Sequence, residues 1–202
     1  MIFIQSHGHL MIRTNIHETA IVDEGAILGD STMIWHWTHV SSTSRIGSNC
    51  ILGQNVFVDN NVNIGNNVRI QNNVSIYNSV TIDDNVFCGP SVVFTNVINP
   101  RAEISRKSEF RATYVGKGAT LGANSTIICG IAIGKYSFIG AGSVVTRNVK
   151  DFALMLGVPA TQKGWFSRYG EQIPLPNSGN GVWSCPHTKD RYVLSKDAII
   201  LI

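Results

Sequence analysis

Apolar side chains recur along this chain at every sixth position. Ile16, Val22, Leu28, Ile34, Val40, Ile46, Leu52, Val58, Ile64, Ile70, Ile76, Ile82, Cys88 and Phe94 form an unbroken series, and the phase returns at Val115, Leu121, Ile127, Ile133, Ile139 and Val145. Four places after each anchor stands a second inward candidate, small at first (Ala20, Ala26, Thr32, Thr38, Ser44, Cys50) and then valine from Val56 to Val92. A period of six fits neither a helix at 3.6 nor a long strand at 2, so each hexad reads as one short strand and one tight turn. The polar positions agree. Asn60-Asn61, Asn66-Asn67, Asn72-Asn73 and Asp84-Asn85 occupy the same two places after their anchors, and asparagine is the residue other than glycine that best tolerates a positive φ. Such strands cannot bury a face alone. Stacked as successive coils at about 4.8 Å, they align the anchors into interior columns. The pattern predicts an all-β chain, a parallel β-helix from about Ile16 to Lys150, preceded by an N-terminal extension over residues 1–15. Residues 151–202 are expected to form a short helical segment around Gln162 to Tyr169 and a hairpin near Trp183 to Leu194, set off by the Pro- and Gly-punctuated stretch PLPNSGNG.

The phase breaks once, between Val97 and Tyr114, where VINPRAEISRKSEFRATY carries Arg101, Arg106, Lys107 and Arg111 against Glu103 and Glu109. A loop of this length inside a compact repeat is usually functional. Tandem small residues mark a second departure: Gly122-Ala123, Gly140-Ala141 and Val158-Pro159 lie 18 residues apart. Stacked one coil above another, they leave a column almost free of side chains, where a long thin ligand arm could lie against backbone groups.

Composition narrows the function classes. The 202 residues are 44% apolar and 14% charged with a net charge of +3, too apolar for a disordered chain and too weakly basic to argue for nucleic acid. No apolar run reaches the 18 residues of a membrane span. The four cysteines show no CxxC spacing and no signal peptide precedes them, which points to a reducing, cytoplasmic compartment and away from a disulfide framework. Eighteen asparagines and 19 glycines suit a chain rich in turns.

The pattern [LIV]-G-x-x-[STAV]-x, seen as IGSNCI, LGQNVF, LGANST and IGAGSV, resembles the hexapeptide repeat of left-handed parallel β-helix acyltransferases, with three hexads per 18-residue coil. The left hand comes from that resemblance, since general chirality favours right-handed crossovers. From Gly53 to Arg101, and through GATLGANSTIICG, GAGSVVTRNV and GVPA, the chain resembles bacterial N-acetyltransferases that act on the 3-amino group of UDP-linked 2-acetamido-3-amino-2,3-dideoxyglucuronate for lipopolysaccharide. FTNVINPR is the most specific piece. A similar branch acts on dTDP-3-amino-6-deoxyhexoses. The resemblance implies acetyl-CoA at the Gly122, Ala123, Gly140, Ala141 column, its phosphates met by Arg147, Lys150 or Lys163, and a homotrimer.

Acetyl transfer to an amine requires a neutral amine, an aligned attack and a destination for a proton. The six histidines are His7, His9, His17, His36, His39 and His187, so the break and the small-residue column have none of their own. Asn96, where the break begins, can accept an N–H of a sugar amine and aim its lone pair; the bland alternative is one more turn asparagine in the series Asn60, Asn78, Asn96. The rival is His36, flanked by Trp35 and Trp37, in one outward column with Gln54 and Asn72 as substrate-binding residues. Arg101 suits a carboxylate or a diphosphate. Cys129 as an acyl-carrying nucleophile lacks a nearby histidine, Cys185 with His187 is too few ligands for a metal site, and no metal is expected. HxxH at His36 and His39 does not meet the HxxxxH spacing of zinc carbonic anhydrases built on this fold. A non-catalytic β-helix is the remaining alternative.

Overall fold

The computed structural model describes residues 14–202. The N-terminal extension expected over residues 1–15, with His7 and His9, lies outside the described residues except for Thr14 and Asn15, and Asn15 already belongs to the first strand. From there the chain winds as a left-handed parallel β-helix whose two-residue strands build three faces. On face 1 the anchors pair in the order Ile16, Ile34, Leu52, Ile70, Cys88, Leu121, Ile139. Face 2 begins at Ile21–Val22 and ends at Val144–Val145. Face 3 runs from Ile27–Leu28 to Ala132–Ile133.

The anchors fill the interior. From Ile34 to Val145 every one is at most 4% exposed, while Ile16 in the first coil is 44% exposed because no coil of the described residues covers it. The small polar residues of the early coils are also inward, and each is satisfied: the Thr32 and Thr38 hydroxyls donate to the carbonyls of Gly47 and Gly53 at 2.8 Å, and Ser44 to that of Ser41 at 2.7 Å. The second asparagine of each turn pair holds the left-handed conformation, with φ of 57° at Asn61 and Asn67 and 63° at Asn73, as the sequence predicts.

The step along each column is 18 residues until the break, where Phe94 pairs with Ile127 and Ile82 with Val115. Fifteen extra residues are therefore extruded while the pairing continues unchanged. They leave after Asn96 and return at Thr113–Val115 on face 3.

The C-terminal part differs from expectation. Residues 161–166 form a strand, Thr161–Phe166, antiparallel to Ala153–Leu156 at the end of face 1, where a helical segment over Gln162–Tyr169 is expected from sequence. The last coil ends on an open strand edge with unpaired backbone groups, and a reversing strand supplies their partners. Trp165, fully buried, donates its indole N–H to the Pro176 carbonyl at 2.8 Å. The expected hairpin is present as Gly179–Ser184 and Arg191–Lys196, with a third strand, Ala198–Leu201, added to it. Its buried Tyr192 meets Phe152 edge-on at 5.6 Å, so this small sheet covers the end of the core. All four cysteines are buried free thiols.

Candidate active site

Two edges of the prism concentrate the residues that the sequence singles out. The turn between faces 1 and 2 carries His36, Gln54 and Asn72 in successive coils, as expected. The same turn then carries Pro90, Ala123 and Ala141. A ladder of turn-to-turn bonds makes the continuity explicit: Asn55 N–H donates to His36 O, Asn73 to Gln54 O, Ser91 to Asn72 O, Asn124 to Pro90 O and Gly142 to Ala123 O, all between 2.8 and 3.0 Å. The imidazole and amide column and the small-residue column, read separately in the sequence, are one edge.

At its His36 end this edge is aromatic. The His36 ring lies 3.5 Å from that of His17 and between Trp35 and Trp37, at 6.1 and 5.7 Å. Both tryptophans are exposed, and Trp37 holds φ of 54° at a turn position that is Asn55 and Asn73 in the next coils. A shallow concavity follows, lined by Trp35, His36, Gly53, Gln54, Gln71 and Asn72. The Asn72 amide oxygen accepts the Gln54 backbone N–H at 2.9 Å. That bond ties its oxygen to the scaffold and leaves its amide N–H groups and one oxygen lone pair for a ligand.

The glycines at the other end answer to packing. A Cβ on Gly122 would meet the backbone N of Ala141 at 2.5 Å and the carbonyl carbon of Gly140 at 2.7 Å. The next coil occupies that space, so the outward surface is made by Ala123, Ala141 and Gly142. The third pair is out of the column. Phe138 pairs with Leu154 and Ile139 with Met155, a step of 16, which puts Leu156 and Gly157 above Gly140 and Ala141. Val158 and Pro159 instead form the reversal into Thr161–Phe166. Lys163 is exposed on that strand, beside the edge. Arg147 stands on the neighbouring edge, and the Lys150 ammonium pairs with Asp197.

The turn between faces 2 and 3 carries Asn60, Asn78, Asn96, Cys129 and Arg147. Within this column Asn96 is distinct. The Asn60 amide oxygen accepts from Ser42 and Thr43, and that of Asn78 accepts from the Ser79 hydroxyl at 2.7 Å. The half-buried Asn96 side chain bonds to none of the described residues; only its backbone carbonyl is used, by the N–H of Arg111 at 2.9 Å, closing the base of the extruded segment. Cys129, one coil beyond, is 3% exposed, with its N–H on Thr95 Oγ1 and no histidine against it. Arg101 is exposed and donates to the Pro100 carbonyl at 3.2 Å within its own loop. His36 and Asn96 are not brought together within one chain, being one face and three coils apart, roughly 14 Å along the axis.

The remaining candidates are scaffold. His187 is bonded to Glu171 at 3.1 Å and stacked on Tyr169. The described residues hold no group of three His, Cys, Asp or Glu arranged for a metal ion. No described helix is long and apolar enough to cross a membrane. The pairing of His39 with Asp23, Nε2 to Oδ2 at 3.1 Å on the outer side of face 2, is one the sequence does not announce, although its 16-residue spacing is one coil less two, close to the stacking period.

Comparison with known proteins agrees with the repeat. Residues 44–78 match the hexapeptide repeat of succinyl-transferase and residues 112–147 the bacterial transferase hexapeptide. A stretch of 56 residues is 55% identical to dTDP-3-amino-3,6-dideoxy-alpha-D-galactopyranose 3-N-acetyltransferase of Aneurinibacillus thermoaerophilus, covering 28% of this chain and 29% of that enzyme. A stretch of 83 residues is 32% identical to the galactoside O-acetyltransferase of Lactococcus lactis, covering 40% of each. The chain thus spans well under half of these curated relatives. Among solved structures, GDP-perosamine N-acetyl transferase from Caulobacter crescentus, in complex with CoA and GDP-perosamine, superposes with a TM-score of 0.53 at 22% identity, over 76% of this chain and 58% of that one. That likeness is one of fold.

Proposed function

We propose that this chain of transferase hexapeptide repeats moves an acetyl group from acetyl-CoA to the 3-amino group of a nucleotide-linked amino sugar. The observation that carries the reading is the shared edge: one continuous turn column offers hydrogen-bonding side chains at His36, Gln54 and Asn72 and a nearly bare strip at Ala123, Ala141 and Gly142. A thin pantetheine arm fits the strip, with Lys163 beside it for phosphate and Arg147 on the next edge. The 55% identical stretch supports an amine on a deoxysugar as acceptor.

In the reaction the neutral amine forms a C–N bond to the thioester carbonyl, the C–S bond breaks, CoA leaves as its thiolate, and the surplus ammonium proton passes to that thiolate or to water. Asn96 orients the amine by accepting one N–H, which its unbonded amide is free to do; because it stands one edge away from the strip of its own chain, the Asn96 that serves a given strip is that of a neighbouring copy in the homotrimer. A sugar amine flanked by electron-withdrawing substituents is more acidic than a lysine, so the step does not require a strong base. His36 is the second reading: as a general base it would draw on the aromatic cluster that holds its ring. Two acceptors remain in view. FTNVINPR with Arg101 supports the UDP-linked 2-acetamido-3-amino-2,3-dideoxyglucuronate, and the bacillar relative supports a dTDP-3-amino-6-deoxyhexose. A homotrimer accords with face 2, which shows Ile21 and Val93 at 60% and 47% exposure; a light-scattering mass near the 22.0 kDa of one chain overturns it.

The deciding experiment is thiol release from acetyl-CoA with a panel of UDP- and dTDP-linked 3-amino sugars and their 3-hydroxy counterparts. Release with at least one amine and with no alcohol is expected. No release with any sugar, together with no heat of CoA binding, overturns the reading.

A further inference from the structure

Trp35, Gly53 and Gln71 stand in one column on successive coils of face 1's outgoing turn, following the paired anchors Ile34, Leu52 and Ile70. The two large side chains are therefore two coil steps apart, roughly 9.6 Å, with a residue lacking a side chain between them. The floor is closed to any Cβ, because the Asn72 amide oxygen sits 2.5 Å from where one on Gly53 would be. Gln54 and Asn72 form the outer wall of this open concavity of about 380 Å³, within the range of small-molecule clefts. Two features of this slot are unexplained by the repeat. An indole 42% exposed flanks it, where folding alone favours burial. The side-chain amides of Gln54 and Gln71 bond to none of the described residues, although Gln71 is half-buried.

We infer that the slot between Trp35 and Gln71 binds the pyrimidine base of the substrate's nucleotide, an inference that rests on the nucleotide-sugar reading above. A flat base stacks on the Trp35 indole. The imide edge of uracil or thymine presents acceptor, donor and acceptor in line, and a glutamine amide answers it with one N–H donated to a ring carbonyl and one carbonyl accepting the ring N–H. Gln71 reads that edge, and Gln54, at the mouth, faces the second ring carbonyl. Guanine repeats the carbonyl and ring N–H that Gln71 pairs with but carries an amino group in place of the second carbonyl, and its ring system is larger, so discrimination against it falls to Gln54 and to the width of the slot. The adenine of CoA belongs at the opposite end of the edge, beyond the bare strip.

The test is quenching of tryptophan fluorescence by free nucleotides, which needs no turnover. Saturable quenching by UMP and dTMP is expected, with GMP and adenosine 3′,5′-bisphosphate much weaker. Read by calorimetry, since the substitution removes the reporting indole, Trp35→Ala should weaken UMP binding about tenfold or more, on the scale of one base stacked on an aromatic side chain, and Trp35→Phe should recover most of it. Trp37→Asn, outside the slot, should leave the UMP dissociation constant unchanged. Gln71→Glu supplies the diagnostic of edge reading: a carboxylate accepts but cannot donate, so UMP should weaken while CMP, whose amino group donates, should gain relative to it. Equal binding of UMP and GMP, or a Gln71→Glu protein with unaltered UMP-to-CMP preference, overturns the inference. If Trp35→Ala leaves the KM of the nucleotide sugar unchanged while acetyl transfer proceeds, the slot assignment falls and the acetyltransferase reading stands; absence of transfer with every sugar, with UMP still bound, is the converse.

Discussion

Replacing Gly122 by alanine adds one methyl group to the edge proposed for acetyl-CoA, and the two explanations of that glycine predict opposite results. If it exists to leave room for a ligand, the protein keeps its stability and loses cosubstrate affinity. The geometry indicates the reverse. The new Cβ would lie 2.5 Å from Ala141 N and 2.7 Å from both Gly140 C and Ile139 O, against an ordinary contact of 3.4 Å or more. These are backbone atoms, so no rotamer relieves the clash and the coils must part locally by about 0.9 Å. The Gly122 N–H bond to Ile139 O, now 2.8 Å, lengthens with them. Overpacking of this kind typically costs about 1–3 kcal/mol and a lost ladder bond about 1 kcal/mol. For a chain of this size the sum corresponds to a melting temperature lowered by about 5 to 15 °C. Gly142→Ala is the control, since nothing lies within 4 Å of its Cβ and only its φ of +68° resists the change. Calorimetric melting of both variants, with KM for acetyl-CoA measured below the transition, makes the comparison. A Gly122→Ala protein that melts with the parent and shows only a raised KM refutes the packing argument.

Asn96→Ala should lower kcat by the equivalent of about 2–4 kcal/mol, the scale of one lost catalytic hydrogen bond, with CoA binding by calorimetry unchanged; if instead His36→Ala abolishes turnover and Asn96→Ala does not, His36 is the base. Arg101→Ala should reduce kcat/KM for the UDP-uronate far more than for its uncharged C6 analogue, and an equal loss for both assigns Arg101 to the diphosphate. Burial pushes the Cys88 thiol up to about 12 from 9.0, so the unfolded chain ionises first. Stability from this group is complete below pH 9 and falls by about 1.4 kcal/mol per pH unit above it. Urea melts at pH 8 and 10 should show that decrement diminished in Cys88→Ala, and an identical pH dependence in the variant refutes it.

The solenoid was legible because one short rule repeats: each anchor from Ile34 onward is buried where the hexad phase puts it, and the phase jump at Val97 marks the extruded segment. What failed to show is what departs from the period. Thr161–Phe166 has no hexad phase, and its strand state is dictated by the open edge of Ala153–Leu156, a tertiary demand that local propensity does not carry. The step of 16 that displaces Val158-Pro159 arises at the same place. The candidate site was half legible. Side-chain chemistry at Asn96, His36 and Arg101 could be named from type and position, but the common edge of His36 and Ala141 depends on counting the extruded residues, fifteen of which fall between Asn72 and Ala123.

The extruded segment is fastened to the rod at one coil, where the Arg111 N–H meets the Asn96 carbonyl. Its two ends are thus held together by the scaffold before any of its own sequence is ordered, and the pairing of Ile82 with Val115 is indifferent to how many residues lie between. Because the entropy of closing a loop grows only with the logarithm of its length, this position can accept a longer, shorter or wholly different segment at little cost to the coils on either side. The rod and its loop are separable units of change: exchanging the residues between Asn96 and Arg111 for those of a relative alters what the loop would present to the proposed sugar while leaving Asn96 and the edge of His36, Gln54 and Ala141 in register.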